Sequence, residues 1–156
     1  MEQQVKLLPY GVADFVTVIE QNLYYVDKTM FIPELEKQPR NLFFIRPRRF
    51  GKSIFLSMLY SYYDCTQSHK FQSLFGNLWI GQHPTPLQGK YQILHLDFSY
   101  VGGGIEKLEE NFNMYLRVKL DGFMRVYQEF YLADFKERFF KSDSADSVSE
   151  KRSAQQ

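Results

Sequence analysis

The residues best able to do chemistry lie in one short stretch, where Gly51, Lys52 and Ser53 follow the Arg-Pro-Arg-Arg run at residues 46–49. A lysine ammonium neutralises phosphate oxygens, and a serine hydroxyl is a ligand for Mg²⁺ in phosphate-binding loops. Backbone N–H groups at the start of a helix point toward an anion, which the helix dipole also favours. The spacing therefore predicts a phosphate-binding loop, and the first function it indicates is nucleotide binding.

The loop departs from the full P-loop motif at one position. That motif has a glycine five residues before Gly51, whereas this chain has Arg46 there. Pro47 fixes its own φ angle and biases Arg46 toward extended geometry, so a different device must shape the turn. The sequence is a degenerate Walker A motif.

The predicted site extends a little beyond the Gly-Lys-Ser triplet. The residues predicted to bind nucleotide are Arg48, Arg49, Phe50, Gly51, Lys52, Ser53 and Ile54. We expect Lys52 at the phosphates and Ser53 on Mg²⁺. The two arginines could flank the phosphates or hold an acidic partner, because a guanidinium binds phosphate and carboxylate alike. Phe50 is expected to pack beside the loop.

Asp97 is a second candidate for holding Mg²⁺. It follows the apolar run that begins at residue 91 and lies 44 positions after Ser53, where a Walker B aspartate could stand. No residue of this chain is assigned a catalytic role on sequence grounds.

The elements that must position this site follow from hydrophobic patterning. Residues 42–45 and 91–98 read as apolar strands, and the first leads directly into the cationic loop. Apolar residues recur at helical spacing from Ser53 to about residue 64. Strands alternating with helices predict the α/β class, as a P-loop NTPase-like three-layer sandwich with a mainly parallel sheet. Two strands are few for such a sheet, so we expect it to be incomplete at the C-terminus.

Other segments have weaker patterns. We expect a helix capped by Asp14, another over residues 30–37, a long amphipathic helix over residues 105–123, and an irregular connection over residues 66–90. Residues 1–141 are expected to form the folded part of the chain. Residues 142–156 are polar and low in complexity, and we expect this tail to be flexible.

Composition excludes several function classes. Hydrophobic residues make up 44% of the chain and aromatic residues 17%, which predicts a folded domain. The formal net charge of +1 argues against a general nucleic-acid coat, so the cations of residues 46–52 indicate a local anion site. Cys65 is the single cysteine and has no internal partner. Without a signal peptide or an apolar run of about 18 residues, we expect a cytoplasmic protein with no membrane contact.

Several distinctive strings occur in order along the chain. They are YVDKT at residues 25–29 and RPRRFGKS at residues 46–53, with further matches at residues 10–15, 75–80 and 96–99. With these strings the chain resembles the bacterial AAA-ATPase-like family over about residues 8–140. In that family an arginine also stands at the place of Arg46.

The resemblance implies ATP and Mg²⁺ as cofactors and a P-loop ATPase-type core. It also implies that longer members carry a downstream nuclease-like domain of the PD-(D/E)XK class, and that the Walker B acid lies beyond residue 156. Asp97 would then end a neighbouring strand. We therefore expect the N-terminal portion of a larger protein, which binds nucleotide with little or no hydrolysis by these residues alone.

The sequence leaves three alternatives open. The Arg-Pro-Arg-Arg loop could contact nucleic acid or an acidic partner in place of a nucleotide. The chain could also be an inactive, truncated fragment with exposed aromatic surface. Residues 25–29 could position a nucleotide base, or Asp27 and Thr29 could accept from helix N–H groups as caps.

Overall fold

The computed structural model describes residues 5–39 and 41–131, which are organised by helices. The α-helices are α1 Phe15–Glu20, α2 Ile32–Glu36, α3 Lys52–Tyr63, α4 Phe71–Phe75, α5 Trp79–Gln82 and α6 Leu108–Val126. Short 3₁₀ helices cover Thr29–Phe31, Cys65–Lys70, Phe98–Tyr100, Ile105–Lys107 and Gln128–Phe130. The chain divides into two compact units, Met1–Ile93 and Leu94–Gln156.

The predicted α/β sandwich with a parallel sheet is wrong. Residues 42–45 and 91–98 form no sheet, and strand pairing in the described part of the chain is limited to one parallel bridge between Asp64 and Tyr91. A strand in a parallel sheet needs neighbours for its N–H and C=O groups, and these two segments do not pair with each other. The apolar side of α3, which a sheet would have covered, packs instead on other helices.

Helix α3 is at the centre of the first unit, where the sequence predicts a helix. Phe55, Met58 and Tyr62 recur at helical spacing and are buried. They pack in a core with residues of α1, α2, α4 and α5, namely Phe15, Ile32, Leu74, Phe75 and Ile80. Each fully buried side chain of this size contributes about 1.5–3 kcal/mol of transfer free energy, so this face holds the helix in place.

Helix α1 is fixed to α3 by its cap. As predicted, Asp14 is the N-cap and accepts hydrogen bonds from the Thr17 backbone N (2.8 Å) and hydroxyl (2.7 Å). The Ser57 hydroxyl of α3 donates to Asp14 Oδ1 (2.8 Å) and accepts from the Phe15 backbone N (3.0 Å). Partial burial raises the pKa of Asp14, but the hydrogen bonds from Thr17 and Ser57 outweigh it and leave that pKa below its ordinary value.

The YVDKT string forms caps for two helical segments. Asp27 Oδ1 accepts from the Thr29 backbone N (2.8 Å), at the start of the first 3₁₀ helix, and Asp27 Oδ2 accepts from the Trp79 backbone N (2.7 Å). The Thr29 hydroxyl, which is buried, accepts from the Ile80 backbone N at 3.1 Å. Of the two interpretations of this string, capping is the one seen. The long-range hydrogen bonds from Trp79 and Ile80 to this string also hold the start of α5. Because helices form within residues 66–90, the prediction of an irregular connection there is wrong.

The second unit contains α6, as the helical spacing predicts. The Phe98 ring lies 5.8 Å from that of Phe112 on α6, and the Asp97 backbone N donates to the Tyr115 hydroxyl at 2.6 Å. No helix of the described residues is long and apolar enough to cross a membrane. The predicted flexible tail at residues 142–156 and the end of the predicted folded part lie outside the described residues.

Candidate functional site

The loop before α3 turns through two left-handed residues. Arg49 has a φ of +66° and Gly51 a φ of +74°. Glycine adopts this region without steric cost, whereas for an L side chain it costs about 1–2 kcal/mol, so Arg49 is held in an unfavourable conformation. Gly51 is also the N-cap of α3. These two residues set the direction in which Phe50, between them, leaves the backbone.

Lys52 reaches back across the loop. Its Nζ donates to the carbonyl oxygen of Arg46 at 2.5 Å, six residues earlier. An ammonium has three donors, so this bond leaves two for an incoming acceptor. The contact closes the loop at the point where the glycine of the full motif is missing, and it places a positive charge at the Arg46 carbonyl.

The N-terminus of α3 has no side-chain cap, because Gly51 has none to offer. The first N–H of the helix to find a backbone acceptor is that of Phe55, which donates to the Gly51 carbonyl at 3.0 Å. The N–H groups of Lys52, Ser53 and Ile54 have no acceptor among the described residues. Three donors and the positive end of the helix dipole therefore lie together at the first turn of α3, whose first residue is Lys52. Phosphate binding at this turn stays a prediction.

The arginines of the loop are all exposed. Arg46 lies over the Phe44 ring (5.1 Å to the ring centre), and that ring stacks on Phe55 of α3 at 5.1 Å. Arg48 and Arg49 form no ion pair with an acidic residue in the described part of the chain. The loop is thus tied to the core through Phe44 while its outer cations stay available to an anionic partner.

Phe50 differs from its prediction. The side chain is 61% exposed and makes no ring contact with another described residue, so it does not pack beside the loop. Arg46 makes two contacts that the sequence did not predict. Its carbonyl oxygen accepts from Lys52, and its guanidinium lies over the Phe44 ring. The contact with the ring could have been predicted from Phe44, two positions before Arg46.

Asp97 acts as a cap within the second unit. Its Oδ1 accepts from the Ser99 backbone N (3.0 Å) and hydroxyl (2.6 Å), at the start of Phe98–Tyr100. These hydrogen bonds from Ser99 lower the pKa of the Asp97 carboxyl, and nearby His95 and Lys119 lower it further. A role for this carboxylate in holding Mg²⁺ stays a prediction.

Ser53 is the predicted Mg²⁺ ligand of the loop. Its side chain is exposed on the first turn of α3, and it follows Lys52 in sequence. Mg²⁺ in phosphate sites is commonly held by one or two carboxylates together with substrate phosphates and water, and in P-loop proteins also by a hydroxyl of the loop. A role for the Ser53 hydroxyl in holding Mg²⁺ stays a prediction.

The second unit has an apolar groove of about 440 Å³, lined by Phe98, Val101, Leu108, Glu109 and Phe112. Among the described residues that line the groove there is no cation, and the one charged residue, Glu109, is acidic. The groove therefore lacks the chemistry that a polyphosphate needs, and the loop before α3 is the candidate site.

Comparison with known proteins assigns the family. The model of the AAA-ATPase-like family, described as "Predicted AAA-ATPase", matches residues 9–155. The chain belongs to this family. The matched span includes all the residues predicted to bind nucleotide.

One curated relative of this AAA-ATPase-like chain matches over a short region. It is the "Uncharacterized protein in vnfD 5'region" of Azotobacter chroococcum mcd 1, which is 49% identical over 55 residues. The match covers 35% of this chain and 11% of that protein, so the chain spans about a tenth of the relative's length. No solved structure matches the chain significantly.

Proposed function

We propose that the chain binds Mg·ATP at the loop formed by residues 46–53. Lys52 would contact the β- and γ-phosphates, the Ser53 hydroxyl would hold Mg²⁺, and the first N–H groups of α3 would donate to phosphate oxygens. Membership of a family described as ATPases supports a nucleotide as the ligand.

The observation that carries this proposal is the set of unused donors at the start of α3. The N–H groups of Lys52, Ser53 and Ile54 lack acceptors among the described residues, and the ammonium of Lys52, the first residue of the helix, has two donors left. Orphan N–H groups at a helix end require an acceptor, and an anion satisfies several of them at once. A neutral ligand would leave the lysine charge and the three nearby arginines without a counter-charge.

Lys52 can bind phosphate while it keeps its contact with Arg46. One donor of the ammonium is bonded to the Arg46 carbonyl, and the other two are left for phosphate oxygens. A bond from the ammonium to phosphate joins two charged groups, whereas the bond to the carbonyl has a neutral acceptor. The loop contact would therefore hold the lysine in place during binding.

We propose binding without appreciable hydrolysis by these residues alone. Phosphoryl transfer needs a group that orients the attacking water and a second charge that stabilises the leaving phosphate. Among the residues predicted to bind nucleotide there is no carboxylate or glutamine for the first task. Turnover of ATP by the purified chain, abolished by Lys52→Ala, would contradict this part of the proposal.

Calorimetric titration with Mg·ATP tests the binding proposal. Lys52→Ala should weaken ATP binding by at least about tenfold, because hydrogen bonds to charged groups contribute about 1.5–3 kcal/mol each. The matched control is Lys90→Ala, an exposed lysine. Its neighbours in sequence, Gly89 and Tyr91, donate to the carbonyls of Tyr62 and Tyr63 at the opposite end of α3.

The control is expected to bind like the wild type, and Ser53→Ala should reduce the dependence of binding on Mg²⁺. Equal affinity in Lys52→Ala and Lys90→Ala would show that the loop does not hold the phosphates. A folded wild-type chain that binds no Mg·ATP would overturn the proposal altogether.

A further inference from the structure

Residues 43–50, which we call the arginine–aromatic segment, present two kinds of exposed group. Phe43 is 92% exposed and Phe50 is 61% exposed, and neither ring contacts another ring or a cation among the described residues. The three arginines of the segment are exposed as well. Large apolar side chains at such exposure leave flat surfaces free, and the neighbouring guanidinium groups have no carboxylate partner in the described part of the chain.

We propose that the arginine–aromatic segment binds single-stranded nucleic acid. The arginines would hold phosphodiester groups, and Phe43 and Phe50 would stack on unpaired bases. Proteins that bind single strands combine these two features, a cationic track and aromatic side chains on which bases stack. This activity goes beyond Mg·ATP binding, because Phe43 has no place in the nucleotide site.

Charge and shape favour this partner over others. An acidic peptide would satisfy the arginines but offers no flat rings for Phe43 and Phe50. A duplex keeps its bases stacked inside the helix, so aromatic side chains cannot stack on them. A second copy of the chain would bring two sets of three arginines together, which like-charge repulsion opposes. A single strand supplies both phosphate charge and exposed base faces.

The contribution of each group can be separated. Base stacking on one aromatic side chain changes affinity by about 5- to 150-fold on removal of the ring. Phosphate contacts instead give a salt dependence, with a slope of about −0.7 in log–log form for each contact to a single strand. If all three arginines make contact, the slope should be about −2. Because the net charge of the chain is only +1, the rest of the protein adds little non-specific attraction to that of the three arginines.

Fluorescence anisotropy with a labelled oligothymidylate of roughly a dozen nucleotides is the test, since single-strand sites span about 4–16 nucleotides. Phe43→Ala should weaken binding at least about fivefold. Tyr10→Ala is the matched control, because Tyr10 is an aromatic residue that is 100% exposed outside the segment. The double variant Arg48→Gln, Arg49→Gln should lower the salt slope by about 1.4.

Three results would each overturn the proposal. They are equal affinity in Phe43→Ala and Tyr10→Ala, binding of a duplex as tight as that of the single strand, and displacement of the oligonucleotide by polyglutamate at equal charge concentration. The proposal is also separable from Mg·ATP binding. Phe43→Ala is expected to keep its affinity for Mg·ATP while losing affinity for the oligonucleotide.

Discussion

Helix α3 and the arginine–aromatic segment that leads into it are both rich in aromatic residues, but their surroundings are opposite. Phe55 and Tyr62 of α3 are buried among other rings, whereas Phe43 and Phe50 face solvent. The helix places its apolar residues on a surface that α1 and α4 can cover. The segment touches the core mainly through the stacking of Phe44 on Phe55. Apolar composition therefore does not decide burial; the availability of a covering element does.

Stability and binding therefore depend on different residues of one continuous stretch of chain. The core face of α3 supplies packing, and the free end of the same helix supplies unused donors beside a cationic loop. Substitutions in the core should unfold the protein, while substitutions in the segment should leave it folded and change only what it binds.

The largest effect is expected for a core aromatic residue. Phe75 is fully buried, with its ring 5.0 Å from Phe15 and 5.5 Å from Tyr62. Phe75→Ala should lower the free energy of unfolding by about 3–5 kcal/mol, because it removes apolar contact and leaves a cavity. Phe43→Ala should change it by less than about 0.5 kcal/mol, as exposed substitutions do. Urea unfolding of both variants measures these changes in the free energy of unfolding. Equal destabilisation would show that the core and the arginine–aromatic segment do not differ in their contribution to stability.

A smaller loss is expected at the caps that join distant parts of the first unit. Asp27→Ala should lower the free energy of unfolding by about 1–3 kcal/mol, since it leaves the N–H groups of Thr29 and Trp79 without their acceptor. Thermal unfolding followed by circular dichroism measures the change. Glu34→Ala is the control, because the exposed ion pair of Glu34 with Lys37 contributes less than about 1 kcal/mol. Matching losses in the two variants would mean that the Asp27 caps do not stabilise the unit.

The helices could be predicted where the signal is local. Asp14 before an apolar turn predicts α1, and the spacing of apolar residues predicts α3 and α6. The position of the candidate site follows from the same information, since Gly51 to Ser53 must lie where the loop meets α3. A helix cap and the spacing of apolar residues both depend on residues within one or two helical turns of each other. The local sequence is therefore enough to predict these helices.

The prediction failed where the information is long-range. An apolar run such as residues 42–45 has the pattern of a buried strand, but a strand forms only if another segment pairs with it. Within residues 66–90, α5 begins where Asp27 accepts from the Trp79 backbone N, 52 positions away. The left-handed conformation of Arg49 could not be predicted from the sequence either, because a bulky residue rarely has a positive φ.

The smallest effect concerns pH. The pKa of Asp14 is lowered in the folded state, so its contribution to stability is present above the ordinary aspartate pKa and is lost as pH falls through the folded value. Asp14→Asn should therefore differ most from the wild type near neutral pH and least near pH 3. Urea unfolding at both pH values tests this. A difference that stays constant would show that the charge of Asp14 does not act through its contacts with Thr17 and Ser57.

The central claim is that the free end of α3 holds the nucleotide phosphates. A titration of the ¹⁵N-labelled chain with Mg·ATP, followed by amide chemical shifts, tests it most directly. We predict saturable shifts at Lys52, Ser53 and Ile54 and in the loop before them, with the amides around Tyr62 nearly unchanged. Saturable shifts centred on other residues, or no shifts in a folded chain, would contradict the account.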